Sequence, residues 1–170
     1  ISLMSVNIKS GDEVVTVSNT AVPTVSAIIS CNAKPVFVDI NEDDFLINPN
    51  LIESKINKNT RAIIPVNLYG QSADYDKISK IAKKYRLKVI EDCAQSPGTY
   101  YNDKLVGKIG DIGVFSFNQS KTISAGEGGV AITNNKEYAL RMQLMRLLMI
   151  WIQPALEVMK LFNVKVMFRL

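Results

Sequence analysis

Lys88-Val89-Ile90-Glu91-Asp92-Cys93-Ala94-Gln95 is the stretch on which the fold turns. A short β-branched run ends on two acids, small residues and an amide, the pattern of a buried strand whose carboxyl end opens into a polar loop. Similar runs recur at Val14–Val17, Pro35–Val38, Ala62–Val66, Val114–Phe117 and Gly129–Thr133, with Lys88–Ile90 among them. Between these strands, Val22–Cys31, Pro49–Ile56, Tyr75–Tyr85 and Lys136–Leu147 carry helical spacing. Strand and helix in alternation predict an α/β fold with a mostly parallel sheet flanked by helices. Asn48 ahead of Pro49, and Asp74 ahead of an apolar face made by Ile78, Ile81 and Ala82, supply helix starts.

Composition narrows the chemistry. The 170 residues are 47% hydrophobic, enough for one sizeable core. There is no histidine, which removes Cys/His zinc sites and Ser-His or Cys-His nucleophiles from this segment. Two cysteines, Cys31 and Cys93, are too few for a disulfide framework and read as small buried residues. Of the net charge of +4, +3 lies from Leu144 onward, where Arg146, Lys160, Lys165 and Arg169 face Glu157 alone. Lys77, Lys80, Lys83 and Lys84 form the wet face of a helix, so no nucleic-acid partner is expected. The chain opens on Ile1-Ser2-Leu3 with no basic and apolar leader. Its apolar runs fall short of the roughly 20 residues of a membrane span. A soluble, cytoplasmic protein is the expectation.

The chain divides at Leu148, giving a main body at 1–147 and an atypical tail at 148–170. The tail holds Trp151 and Pro154, and no glycine. It reads either as an amphipathic helix broken at Pro154 or as a reading-frame slip, since the codons for Met149 to Pro154 read two bases later can spell Asp-Leu-Asp-Thr-Thr. Gly107, Gly110 and Gly113 recur every third residue, but the spacing is wrong for a dinucleotide loop, and a phosphate-binding G-x-x-x-x-G-K-[ST] run is absent.

In an open parallel sheet the ligand lies beyond the carboxyl ends of the strands. Candidates there are Ser18-Asn19-Thr20, Glu91 through Gln95, Ser116, and Lys121 in a Ser/Gly-rich loop. Pyridoxal phosphate needs an amine, a carboxylate against its ring nitrogen and donors for its phosphate, and Lys121, Asp92 and Ser116 are of those types. A carboxylate against that nitrogen keeps the ring protonated and able to accept electrons.

Gly11-Asp12-Glu13-Val14-Val15 with Ser18-Asn19-Thr20, Lys34 through Ile40, Ile64 through Gln71, Val89 through Gln95, and Phe115-Ser116-Phe117 through Lys121 to Gly129 stand in one order across Gly11 to Arg146. In that order they resemble the DegT/DnrJ/EryC1/StrS aminotransferase family. The resemblance implies a fold-type I large domain truncated at both ends, a homodimer, and pyridoxal phosphate as cofactor. It also implies amino transfer from glutamate or glutamine to a nucleotide-linked keto sugar or a keto-cyclitol. Matched by position, Lys121 is the family's Schiff-base lysine and Asp92 its pyridinium partner. Gln95 is the glutamine along the ring, Ser116 a phosphate ligand, and Thr20 part of the pocket lining. Ala21 stands where the family commonly has a stacking aromatic, and Asn67 and Pro97 where histidine is frequent. Two alternatives stay open: an inactive fragment or pseudoenzyme of the same fold, and another fold-type I reaction using the same lysine and aspartate.

Overall fold

The structure, a computed structural model, describes residues 1–161 and the side chains of residues 1–148. Its strands are β1 (Glu13–Val17), β2 (Lys34–Val38), β3 (Thr60–Ile64), β4 (Lys88–Asp92), β5 (Tyr100–Tyr101), β6 (Lys104–Leu105), β7 (Ile112–Ser116) and β8 (Gly129–Ile132). The α-helices are α1 (Ser2–Ser5), α2 (Val22–Ser30), α3 (Pro49–Ile52), α4 (Tyr75–Tyr85) and α5 (Lys136–Leu161). One sheet runs in the order β2-β1-β3-β4-β7-β8. Every neighbouring pair in it is parallel except β7 with β8, so the expected α/β fold with a mostly parallel sheet is present.

Near-continuous apolar strands arise because both faces of the sheet are covered. Side chains alternate across a strand with period two. Val14, Ala62, Ile64, Ile90 and Ile112 therefore meet Leu3, Ile28, Tyr138 and Met142 on one side. On the other, Val15, Val17, Ile63 and Val89 meet Ile52, Ile78, Ile81 and Ala82. Full burial of each such side chain contributes roughly 1.5–3 kcal/mol, which fixes the register.

The strand ends differ from the sequence expectation for a reason that shapes the site. β3 stops at Ile64 rather than Val66, because Pro65 has no N–H to give to a neighbour. Its carbonyl still accepts the Asp92 N–H at 3.0 Å, and Ile90, Glu91 and Asp92 pair with Ile112, Gly113 and Val114. Strand β4 thus extends through Asp92, two residues beyond Ile90, so Asp92 sits on the strand and not in the loop. β7 correspondingly spans Ile112–Ser116 rather than 114–117. Helix α3 is shorter than Pro49–Ile56, tightening after Ile52 into a 3-10 turn at Glu53–Lys55. The β5–β6 hairpin was not anticipated; Asn102 and Asp103, with φ of 46° and 61°, make its two-residue turn.

Helix α5 begins on Asn135, whose Oδ1 accepts the N–H groups of Glu137 and Tyr138. It continues through Pro154 to Leu161, so proline does not end it: the lost N–H bond costs about 3 kcal/mol and leaves the flanking helical bonds in place. Residues 162–170, the end of the tail set apart in the sequence, lie outside the described residues. No described helix is long and apolar enough to cross a membrane.

Asn48 and Asp74 act as the expected caps, Asn48 Oδ1 accepting from Asn50 N–H and Asp74 Oδ1 from Lys77 N–H at 3.1 Å. Burial is the largest influence on the Asp74 carboxyl and pushes its pKa up. Hydrogen bonds from the Lys77 backbone, the Lys77 ammonium and Tyr101 together outweigh it, leaving the pKa below the ordinary aspartate value. A depressed folded pKa gives stability that is present above the unfolded pKa and lost as pH falls through the folded one. Asp74→Ala is expected to cost about 1 kcal/mol near neutrality. In urea unfolding, the gap to the parent chain narrows as the pH drops below the normal aspartate range.

Candidate active site

Two adjacent acids at the end of β4 point to opposite sides of the sheet. Glu91 follows Val89 into the side covered by α4 and is fully buried. Its carboxylate accepts three backbone N–H groups, from Gly107 at 2.6 Å, Ile109 at 2.7 Å and Gly110 at 2.6 Å. These bonds remove the desolvation penalty that an unpartnered buried carboxylate would carry. Close packing explains the glycines at intervals of three. A Cβ on Gly113 would come within 2.3 Å of the Gly107 backbone, and one on Gly110 within 2.7 Å of the Val89 carbonyl, so the segment can lie this close to β4 and β7 only with glycine at those two positions.

Asp92 follows Ile90 to the side covered by α2. Thr24 Oγ1 donates to its Oδ2 at 2.7 Å, and the Ala94 N–H to its Oδ1 at 3.1 Å. Thr20 Oγ1 lies 2.8 Å from Thr24 Oγ1, so the segment after β1 reaches Asp92 through one intervening hydroxyl. A hydrogen bond to a charged acceptor is worth roughly 1.5–3 kcal/mol, enough to hold the carboxylate in one orientation. The carboxylate lines a cavity of about 600 Å³ walled by Ile64, Ile90, Val114 and Phe115, with Ser116 also on its wall.

Gln95 and Lys121 line a second cavity of about 600 Å³, with Tyr69, Ser120 and Thr122. Ala94 belongs to both cavities. Lys121 is half-buried, and among the described residues its ammonium group has no hydrogen-bond or ion-pair partner. Asn118 organises the loop that carries it. Its Oδ1 accepts from Ser120, its carbonyl accepts the Lys121 N–H at 2.9 Å, and its Nδ2 donates to Glu127. Glu127 is thereby a brace of the glycine-rich turn.

Of the residues singled out from sequence, Thr20, Asp92 and Ser116 come together around the first cavity, and Gln95 and Lys121 around the second. Thr24, Asn118 and the clasped Glu91 were missed. Thr24 had a signal, a hydroxyl in the first turn of the helix that directly follows Thr20. Asn67 is fully buried, its amide engaging the Tyr75 hydroxyl, the Cys93 thiol and the Ala73 N–H. Burial above all, then the charge of Glu91, pushes the Cys93 thiol up to about 12, so it stays protonated. No group of three or more potential metal ligands occurs among the described residues.

Comparison with known proteins places this arrangement. The model of the DegT/DnrJ/EryC1/StrS aminotransferase family matches residues 1–151. The chain is 43% identical over 147 residues to dTDP-3-amino-3,4,6-trideoxy-alpha-D-glucose transaminase of Micromonospora megalomicea, covering 86% of this chain and 39% of the relative. Among solved structures it resembles DesV of S. venezuelae in complex with a ketimine intermediate, with TM-score 0.82 and 35% identity over 85% of this chain and 39% of that one. NtdA of Bacillus subtilis with bound cofactor PMP gives TM-score 0.75 and 37% identity, over 81% of this chain and 31% of that one. The fold is that of fold-type I aminotransferases. The chain spans about two-fifths of the length of the relatives it matches.

Removing the Glu91 carboxylate leaves one buried and two half-buried N–H groups without an acceptor, each costing about 1–3 kcal/mol. Glu91→Ala is therefore expected to destabilise the chain by more than about 3 kcal/mol. Amide hydrogen exchange at Gly107, Ile109 and Gly110 should accelerate well beyond that of the sheet.

Proposed function

Because the chain belongs to the DegT/DnrJ/EryC1/StrS aminotransferase family, whose members use pyridoxal phosphate, we propose that the protein moves an amino group from glutamate or glutamine to a nucleotide-linked keto sugar. One observation carries this reading. Asp92 ends its strand held by the Thr24 hydroxyl and the Ala94 N–H in an apolar-walled cavity with Ser116, and Lys121 lies on the other side of Ala94. The donor set fits the cofactor: one carboxylate for a ring nitrogen, one hydroxyl for a phosphate, one amine for an aldehyde. The apolar walls are of the kind that exclude water from a bound ring.

When bound, the cofactor supplies an electron sink for the carbanion formed at the donor α-carbon. Asp92 would keep the ring nitrogen protonated, and Thr24, itself in contact with Thr20, holds the Asp92 carboxylate. Gln95 would lie along the ring, and Ser116 would give its hydroxyl to the phosphate. Lys121 would hold the cofactor's aldehyde carbon through Nζ. The same Nζ, once free, would be the base for the proton on the donor α-carbon. The homodimer typical of the family, and a cytoplasmic setting, go with this reading.

A second reading is favoured by the division of Asp92 and Lys121 between two cavities: an inactive member of the fold that takes up no cofactor. Cofactor uptake separates the two. The protein incubated with pyridoxal phosphate, reduced with borohydride and dialysed should retain the cofactor, and Lys121→Ala should not. Glutamate-driven amination of a nucleotide-linked keto sugar should fall by about 10²–10⁴-fold in that variant. Wild-type rates in Lys121→Ala, or no uptake by the parent protein, would remove the proposal.

A further inference from the structure

Asn67-Leu68-Tyr69-Gly70-Gln71 leaves the end of the sheet in a sharp turn. Tyr69 has φ 56° and ψ 31°, the left-handed region, and Gly70 follows with φ 75°. That conformation costs a side-chain-bearing residue of order 1–3 kcal/mol and persists only where the surroundings over-determine it. Here they do. Asn67 is locked in the buried network with Tyr75, Cys93 and Ala73. Gln95 then holds the turn from outside, its Oε1 accepting the Tyr69 N–H at 3.2 Å and its carbonyl the Gly70 N–H at 3.1 Å. Thr99 Oγ1 donates to the Gly70 carbonyl at 2.9 Å.

The strained residue gains nothing from packing. Asn67 and Leu68 are almost fully buried, whereas Tyr69 is 66% exposed. A glycine would suit the backbone better, so the ring is retained at a cost to the fold. Its place is the wall of the Lys121 cavity, where it is the one aromatic among the lining residues. Around it stand the Gln95 amide, the Ser120 and Thr122 hydroxyls and the Lys121 ammonium. Hydroxyls and an amide beside one aromatic face suit a ligand with hydroxyls at its rim and C–H groups on its faces, which describes a sugar ring.

We propose that Tyr69 is a specificity-determining residue that contacts the sugar ring of the acceptor, and not the amino-acid donor, at the cavity shared with Lys121. The assignment rests on the keto-sugar function above. The turn also links it to the cofactor side, because Gln95, set along the cofactor ring in that reading, is the residue that fixes the Tyr69 backbone.

Tyr69→Gly tests this without threatening the fold, since glycine adopts the left-handed conformation freely. Phe45→Gly is the matched control: Phe45 is also exposed and left-handed, with φ 61°, but lies outside the cavity lining. Calorimetric binding of a panel of dTDP-, GDP- and UDP-linked amino sugars to the cofactor-loaded protein is the readout. Tyr69→Gly should weaken the best-binding member at least tenfold, about 1.4 kcal/mol. Tyr69→Phe and Phe45→Gly should bind as the parent does, and the glutamate half-reaction of Tyr69→Gly should stay within about twofold. Equal sugar affinity in parent and Tyr69→Gly overturns this assignment and leaves the function standing. A parent protein that reacts with glutamate yet binds none of the panel overturns the keto-sugar function and this assignment together.

Discussion

The buried carboxylate of Glu91, closed in by the N–H groups of Gly107, Ile109 and Gly110, is the constraint from which the site is built. It ties the carboxyl end of β4 to the segment that feeds β7. Period-two alternation then sends Asp92 to the opposite face of the sheet, into the α2 side. A one-residue slip of β4 would exchange the two acids, placing Asp92 against the glycine segment and Glu91 against Thr24. Three short hydrogen bonds and the packing of Val89 and Ile90 on separate sides of the sheet oppose that slip.

The polar residues at the strand ends act through one another. Thr20 reaches Asp92 by way of Thr24, and Asn67 reaches the Tyr69 turn by way of the buried network it forms with Tyr75 and Cys93. Gln95 holds that turn, and Asn118 shapes the loop of Lys121. Each functional group is therefore carried by a partner whose own hydrogen bonds are satisfied, which is what positions a side chain more sharply than sequence spacing alone. Left-handed backbone falls in turns such as those at Phe45, Tyr69 and Asn102-Asp103 and not within the strands of the sheet.

Sequence patterning carried most of the architecture. Runs such as Val14–Val17, and the lysine-rich face opposite Ile78 and Ile81, state their elements locally, because periodicity and burial are set by the same side chains. The hairpin at Tyr100–Leu105 was written in the chain as Asn102-Asp103 between Tyr100-Tyr101 and Lys104-Leu105, a turn signal too brief to weigh against the longer runs around it. The ends of β3 and β4 were not local properties. They depend on Pro65 lacking a donor while its carbonyl finds the Asp92 N–H across the sheet.

The sequence by itself determined the fold class, the two-sided covering of the sheet and the residue types at the strand ends, since these follow from alternation, helix caps and the order of motifs along the chain. Only the tertiary structure decided which acid is clasped and which faces the cavity, that Thr24 stands on Asp92, that glycines at 107, 110 and 113 let their segment pack against Val89 and Phe115, and that Tyr69 shares a wall with Lys121. The reason is physical: hydrogen bonds between residues 16, 26 or 68 positions apart depend on how the strands are ordered in space. No local pattern encodes that order.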